Sequence, residues 1–214
     1  MKLRTTEQLS DKLSNELAWR KKELSEVKSL VETKSFSPSK HKALVRSAIC
    51  LLYAHWEGFV KLAANSYLEY VRMQKLSYEK LSSNFLALAM KDKLKEAKET
   101  NKPSLYIPIC DFFLDELNQR CKLPEDIIST ASNLSSEILK EITHILGIDF
   151  SPYSTKSILI DTKLLKKRNE IAHGEYSIFD KEEYIELHVE VIAMLDIFRN
   201  QIENAAINKD YMRN

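Results

Sequence analysis

Apolar residues recur through much of this chain at steps of three, four and seven, and that periodicity predicts long amphipathic helices. Leu9, Leu13, Leu17, Leu24, Val27 and Val31 form one stripe on a helix from about Thr6 to Val31, with Lys and Glu on the other face. Ser35-Phe36-Ser37-Pro38 interrupts it. Ser37 suits an N-cap there and Pro38 a first helical residue. A second helix then runs from about Pro38 to Met73. Its apolar set includes Leu44, Ile49, Leu52, Trp56, Phe59, Val60, Ala63, Tyr67 and Val71. That density predicts burial on more than one side, as in the central helix of a bundle.

The middle of the chain is less regular. Ser77 and the pair Ser83-Asn84 look like caps of short helices ending near Glu99. Breaks follow at Asn101-Lys102-Pro103, Tyr106-Ile107-Pro108 and Leu123-Pro124, with a short amphipathic piece from Cys110 to Leu117 between them. Residues 75–130 therefore read as an insertion or lid on the bundle, too interrupted to bury a core alone. Regularity returns with Asn133 as cap of a helix to about Leu146, stopped by Gly147. Ser151-Pro152-Tyr153 reads as a turn. The next helix reaches about His173, with Ile158, Ile160, Leu164, Leu165 and Ile171 buried and Gly174 placed to end it. Asp180 and Glu183 form a capping-box variant for a last helix to about Ala206. Residues 208–214 read as a frayed tail. The fold class expected is all-α, one domain over residues 1–214.

Composition agrees with long elements: 214 residues hold only Gly 3 and Pro 5. The formal charge of +1 and a pI near 7.7 exclude a globally basic nucleic-acid binder, so any basic surface must be local. Cys50, Cys110 and Cys121 are odd in number and lack metal-type spacing, which favours a reducing compartment over a disulfide framework. No apolar signal core and no run of about twenty apolar residues is present, so the expectation is a cytoplasmic protein with no membrane contact. Glycine-rich phosphate loops, His-Glu-x-x-His, Cys-x-x-Cys and the Gly-x-Ser-x-Gly elbow are all missing. Neither a cofactor nor a metal site is expected.

What remains is Leu164 to Glu175. Asn169 and His173, four apart, share a helix face with Leu165, and Arg168 stands beside that face above Leu164. An apolar stripe that turns into Arg, Asn and His over its last turn suits the lining of a groove better than the end of a core. Arg offers a planar fork for phosphate, and His exchanges protons near neutral pH. Lys163, Lys166 and Lys167 add positive charge upstream and are candidate RNA contacts. The helix dipole alone also favours basic residues at such a position. In the long helix, Tyr53-Ala54-His55-Trp56-Glu57-Gly58-Phe59 sets a Glu and a Gly among apolar residues. Gly58 costs about 1 kcal/mol against Ala in a helix interior, which makes sense if another group approaches closely. Trp56 reads as core. His55 is either a satisfied buried His or a supporting polar group.

Together these segments resemble the HEPN superfamily, and within it the bacterial HEPN-like nucleases of defence and toxin–antitoxin systems. The family signature is Arg, four to six residues, then His, with Asn commonly after the Arg. Arg168, Asn169 and His173 match its shortest form. The similarity covers about Pro38 to Val71 and Ile158 to Ile202. The resemblance implies a four- or five-helix bundle that dimerises so that two Arg–His motifs face one cleft. It implies metal-independent RNA cleavage, with His173 taking the 2′-hydroxyl proton and Arg168 stabilising phosphate charge. Asn169 would orient the phosphate or the His, and Glu57 would be an acidic partner for Arg168 or the imidazole. An antitoxin or other defence-system protein is the implied partner. In some HEPN toxins a Tyr two residues after the motif His is nucleotidylated; here Tyr176 stands three residues after His173. The alternative is a non-catalytic HEPN-like module that binds a partner protein or nucleotide, which the near-neutral charge favours.

Overall fold

The computed structural model describes residues 2–33, 35–98, 102–124, 128, 130, 133–176 and 179–213, with side chains throughout except at 92, 93 and 95–98. Glu99 and Asn101, at the expected helix end and break, lie outside the described residues. The fold is all-α: among the described residues there are eight α-helices, short 3₁₀ and π-helical pieces and no strand. No described helix is long and apolar enough to cross a membrane.

Helices α1 (Thr6–Glu32), α2 (Pro38–Met73) and α8 (Lys181–Asn208) pack on one another in every pairing and form the frame. The starts of α2 and α8 are as their cap residues predict, and Thr5 caps α1. Thr5 accepts from the Gln8 N–H at 3.2 Å, Ser37 from the Lys40 N–H, and Asp180 from the Glu183 N–H at 2.7 Å. Leu9, Leu13, Leu17, Leu24 and Val31 of α1 meet Ile49, Leu52, Trp56, Phe59, Val60, Ala63 and Tyr67 of α2 and Tyr184, Leu187, Val191, Leu195 and Ile202 of α8 in one buried core. Each large side chain so buried contributes about 1.5–3 kcal/mol relative to exposure. Trp56 is fully buried with its ring 6.4 Å from that of Tyr153, a core residue as expected.

The middle segment shares this core rather than only covering it. Leu81 and, on α3 (Ser83–Lys98), Phe85 and Leu88 are buried within the same cluster. Helix α4 (Ile107–Asp111) runs directly into a π-helical turn, Phe112–Glu116, whose Phe112 is buried against Tyr78. The tail expected to fray is docked. The Ser82 N–H donates to the Tyr211 carbonyl at 2.9 Å, Arg213 returns a bond to Lys80, and Tyr211 is buried beside Tyr70. Its polar letters hid one aromatic anchor.

Three further expectations need correction. Helix α5 (Ser136–Leu146) is capped by Ser135, not Asn133, because Ser135 accepts from the Ile138 N–H at 3.2 Å and Asn133 is engaged elsewhere. The Ser151-Pro152-Tyr153 turn is a single-turn helix, α6 (Ser151–Ser154), which buries Tyr153 with its hydroxyl 2.9 Å from Gln201. The motif helix is not continuous: a π-helical stretch, Leu159–Lys166, precedes α7 (Lys167–Ala172). Ile160 and Leu164 are buried there, whereas Ile158 is 74% exposed, since two residues' separation carries it round to the opposite side.

Candidate functional site

Helix α7 ends in a Schellman turn. Gly174 adopts φ +75°, its N–H donates to Ile171 at 3.1 Å, and the Glu175 N–H reaches back to Glu170 at 2.9 Å. His173 is thereby the C-cap residue, exposed, with its backbone N–H on the Asn169 carbonyl at 2.9 Å. A shallow groove lined by Asp161, Leu165, Lys166, Asn169, Glu170, His173 and Glu175 brings Asn169 and His173 together. Asp161 is already bound to the start of α5, accepting from the Ser136 N–H at 2.7 Å.

Arg168 does not line that groove. It turns toward α2, where its guanidinium lies 4.1 Å from the centroid of the Tyr53 ring and donates to the Asn133 side-chain oxygen at 2.9 Å. Tyr53 is almost fully buried and its hydroxyl accepts from the Leu134 N–H at 2.6 Å. Burial pushes the Tyr53 phenol above its usual value. Arg168 and Leu134 act against the rise, and the Glu57 carboxylate adds to it. Glu57, half-buried, thus acts on the same Tyr53 hydroxyl as Arg168, with the opposite sign. The segment at Asn133 and Leu134 is tied to both α2 and α7 by the same cluster.

The three candidate lysines fare differently. Lys163 pairs with Glu186 at 3.7 Å and Lys167 with Glu183, both on α8, while Lys166 stays exposed at the groove. His55 faces away from the motif. Its Nε2 lies 2.7 Å from Glu23 and its ring meets Trp19 edge-on, so it is a buried histidine of the α1–α2 contact. Gly58 has the Arg20 guanidinium as its near neighbour, at 3.7 Å from where a Cβ would stand. That is ordinary contact distance, so nothing within the chain requires glycine there.

Sequence reasoning passed over Lys42 and Arg46. Lys42 donates to the Tyr176 hydroxyl at 2.6 Å and Arg46 to the Glu175 carbonyl at 2.9 Å, so both grip the turn that carries His173. Lys42 also holds the exposed Tyr176 phenol below its usual value. Cys50, whose thiol burial pushes up, lies within the electrostatic reach of Arg168 and Arg46. The signal was available: Lys42, Arg46, Cys50, Tyr53 and Glu57 follow one another at four, four, three and four, a polar stripe down one face of α2. Among the described residues no group of three or more His, Cys, Asp or Glu could hold a metal ion.

An all-α bundle with an Arg–Asn–x₃–His sequence closing the helix packed on its long central helix defines a HEPN-type domain. The family model described as HEPN_MAE_28990-like HEPN matches residues 9–211, nearly the whole chain, and the chain belongs to this family. No curated protein and no solved structure matches it.

Proposed function

We propose that this protein is a metal-independent endoribonuclease of the toxin or defence-effector type. The observation that carries the reading is the end of α7: His173 is exposed beside Asn169 in one groove, on the helix that also carries Arg168, in a chain of the HEPN family. The His173 imidazole takes the proton of a ribose 2′-hydroxyl. The freed oxygen attacks the adjacent phosphorus, the P–O5′ bond breaks, and the leaving oxygen is protonated. The products carry a 2′,3′-cyclic phosphate and a 5′-hydroxyl. One imidazole cannot serve as base and acid at once, so the reading uses a homodimer in which His173 of the partner subunit supplies the second proton transfer. In this reading Arg168, held on Tyr53 and Asn133 outside the His173 groove, acts as a fixed charge for the developing phosphate dianion in the cleft between the two subunits.

The test is cleavage of total RNA and of tRNA in EDTA by the wild-type chain, His173→Ala and Arg168→Ala. Cleavage by the wild type, with cyclic-phosphate ends and a loss of about a hundredfold or more in each variant, is the expected result. Strict dependence on added divalent metal, or full activity in both variants, refutes it. A second reading, a non-catalytic module that binds a partner protein such as an antitoxin, draws support from one feature. The His173 groove carries Asp161, Glu170 and Glu175 against Lys166, an acidic balance that suits a basic protein surface.

A further inference from the structure

Two grooves meet at Glu175, one on each side of the turn that carries His173. The first is the acidic one described above. The second, of about 790 Å³, lies between the opening turns of α2 and the Gly174–Tyr176 turn. Its balance is reversed. Lys42 and Arg46 stand against Glu175, with the Ser39 and Ser47 hydroxyls on the same wall. At its mouth Tyr176 is 82% exposed, against 47% for the other exposed tyrosine of the described residues, Tyr106. The Lys42 ammonium sits 3.8 Å from the Tyr176 ring centroid and bonds its hydroxyl. Lys42 thereby fixes the ring, and most of the side chain is open to solvent.

We propose that this groove binds a single-stranded RNA segment beside His173, with Lys42 and Arg46 toward its phosphates and one base stacked on Tyr176. Charge selects this groove over its acidic neighbour for a polyanion, and the distinction is local because the whole chain carries only +1. Of the lysines upstream of the motif, Lys163 and Lys167 already pair with Glu186 and Glu183, and Lys166 lines the acidic groove. The exposed aromatic selects a single strand. A base paired in a duplex has no free face, whereas an unpaired base stacks on a tyrosine regardless of its identity. Arg46 has a second task. By bonding the Glu175 carbonyl it holds the Schellman turn in place, which links strand binding to the position of His173.

Strand binding at this groove rests on the ribonuclease reading only for the cleavage step that comes after it, so the two can fail separately. The experiment measures the affinity of a fluorescein-labelled single-stranded RNA for full-length His173→Ala protein across a salt series, with wild-type cleavage monitored in parallel. Adding Lys42→Ala is expected to weaken binding about tenfold and to lower the slope of log K against log salt by about one. Adding Tyr176→Ala weakens it by about fivefold or more, and Tyr176→Phe restores it to within about twofold. Lys21→Ala, at the α1–α8 contact where Lys21 pairs with Asp196, serves as the unchanged control. Unaltered affinity in the Lys42 and Tyr176 variants overturns the proposal. So does failure of the parent to bind single strands, or equally tight duplex binding that ignores Tyr176→Ala. Groove-dependent binding by a chain that never cleaves leaves the groove standing and removes the ribonuclease reading. Cleavage with unaltered binding in the variants does the reverse.

Discussion

Two clusters in this bundle are built from the same kinds of side chain, and one buries its histidine while the other exposes it. At the α1–α2 contact, Arg20, Glu16, Trp19, Glu23 and His55 close on one another. Arg20 pairs with Glu16, stands 4.3 Å over the Trp19 ring, and is buried like His55. At the end of α7, Arg168, Glu57, Tyr53 and His173 supply a comparable inventory, but the histidine lies outside the closed part, on a helix-ending turn open to solvent. The first cluster holds its arginine and its histidine together, each against a glutamate. The second holds the arginine on Tyr53 and Asn133 and leaves the histidine exposed. Residue type does not separate the two clusters; the backbone position of the histidine does.

The sharpest way to break this comparison is to remove each histidine in turn. His173→Ala is expected to cost about a hundredfold or more in RNA cleavage while shifting stability by no more than about 0.5 kcal/mol, as for an exposed residue. His55→Ala is expected to do the reverse, costing about 1–3 kcal/mol by leaving Glu23 and the α1–α2 contact underfilled, with turnover unchanged. Cleavage assays and urea melts on the same preparations decide it. If His55→Ala also abolishes cleavage in folded protein, the two clusters are not separate.

The Tyr53 hydroxyl sharpens the second cluster. Tyr53→Phe leaves the Leu134 N–H without its acceptor, at a cost of about 1–3 kcal/mol, and removes the hydroxyl on which Arg168 and Glu57 both act. Glu57→Gln keeps the shape and removes the charge, and about a tenfold loss of turnover, or 1.4 kcal/mol, is expected with helical content intact. Wild-type turnover in both variants would reduce this hydroxyl to a packing detail.

Acid tests the closed cluster. Burial lowers the His55 pKa below its ordinary value of 6.5, with Glu23 opposing and Arg20 adding. Burial does the same for His188, reinforced by Lys28. The unfolded chain therefore takes up these protons first. Stability should be complete above 6.5 and should decline as pH falls below it toward the lowered folded values. Melting points from about pH 8 to pH 5 should show this decline, and His55→Gln should flatten it. An unchanged melting point over that range would contradict the assignment. The smallest effect is at Gly58. With the Arg20 guanidinium at ordinary contact distance, Gly58→Ala should raise stability by about 0.5–1 kcal/mol. A loss of stability that depends on protein concentration would instead put a second subunit against that surface.

The helices of the frame were legible because their apolar stripes and caps point the same way. Ser37-Pro38 and Asp180-Glu183 begin α2 and α8 as their chemistry requires. The buried Arg20 was not legible, since an arginine in a leucine stripe reads as a surface interruption until Glu16 and Trp19 are seen to enclose it. His188, on a helix face that reads as mixed, is buried against α1 near Leu24 and Lys28. Within the candidate site, the proximity of Asn169 and His173 follows from their spacing of four, and the structure keeps it. The direction of Arg168 does not follow from spacing. It depends on Tyr53 and on an asparagine that looks like a helix cap but serves as an acceptor. Short-range capping signals compete at Asn133 and Ser135, and only the tertiary neighbour decides between them.

The π-helical stretch at Leu159–Lys166 has a consequence for how this chain tolerates change in length. A π turn holds about one residue more than an α turn for a similar advance along the axis. Losing one residue there would let the turn close as an α turn while barely shortening it. The residues downstream would keep their direction, because a π turn and an α turn each complete one revolution. Arg168 would stay over the Tyr53 ring and His173 would keep its facing. The same loss inside α7, which has no such slack, would swing everything beyond it by roughly 100°, the angle one α-helical residue subtends. Two chains with the same motif but one residue's difference in this segment can therefore aim it alike.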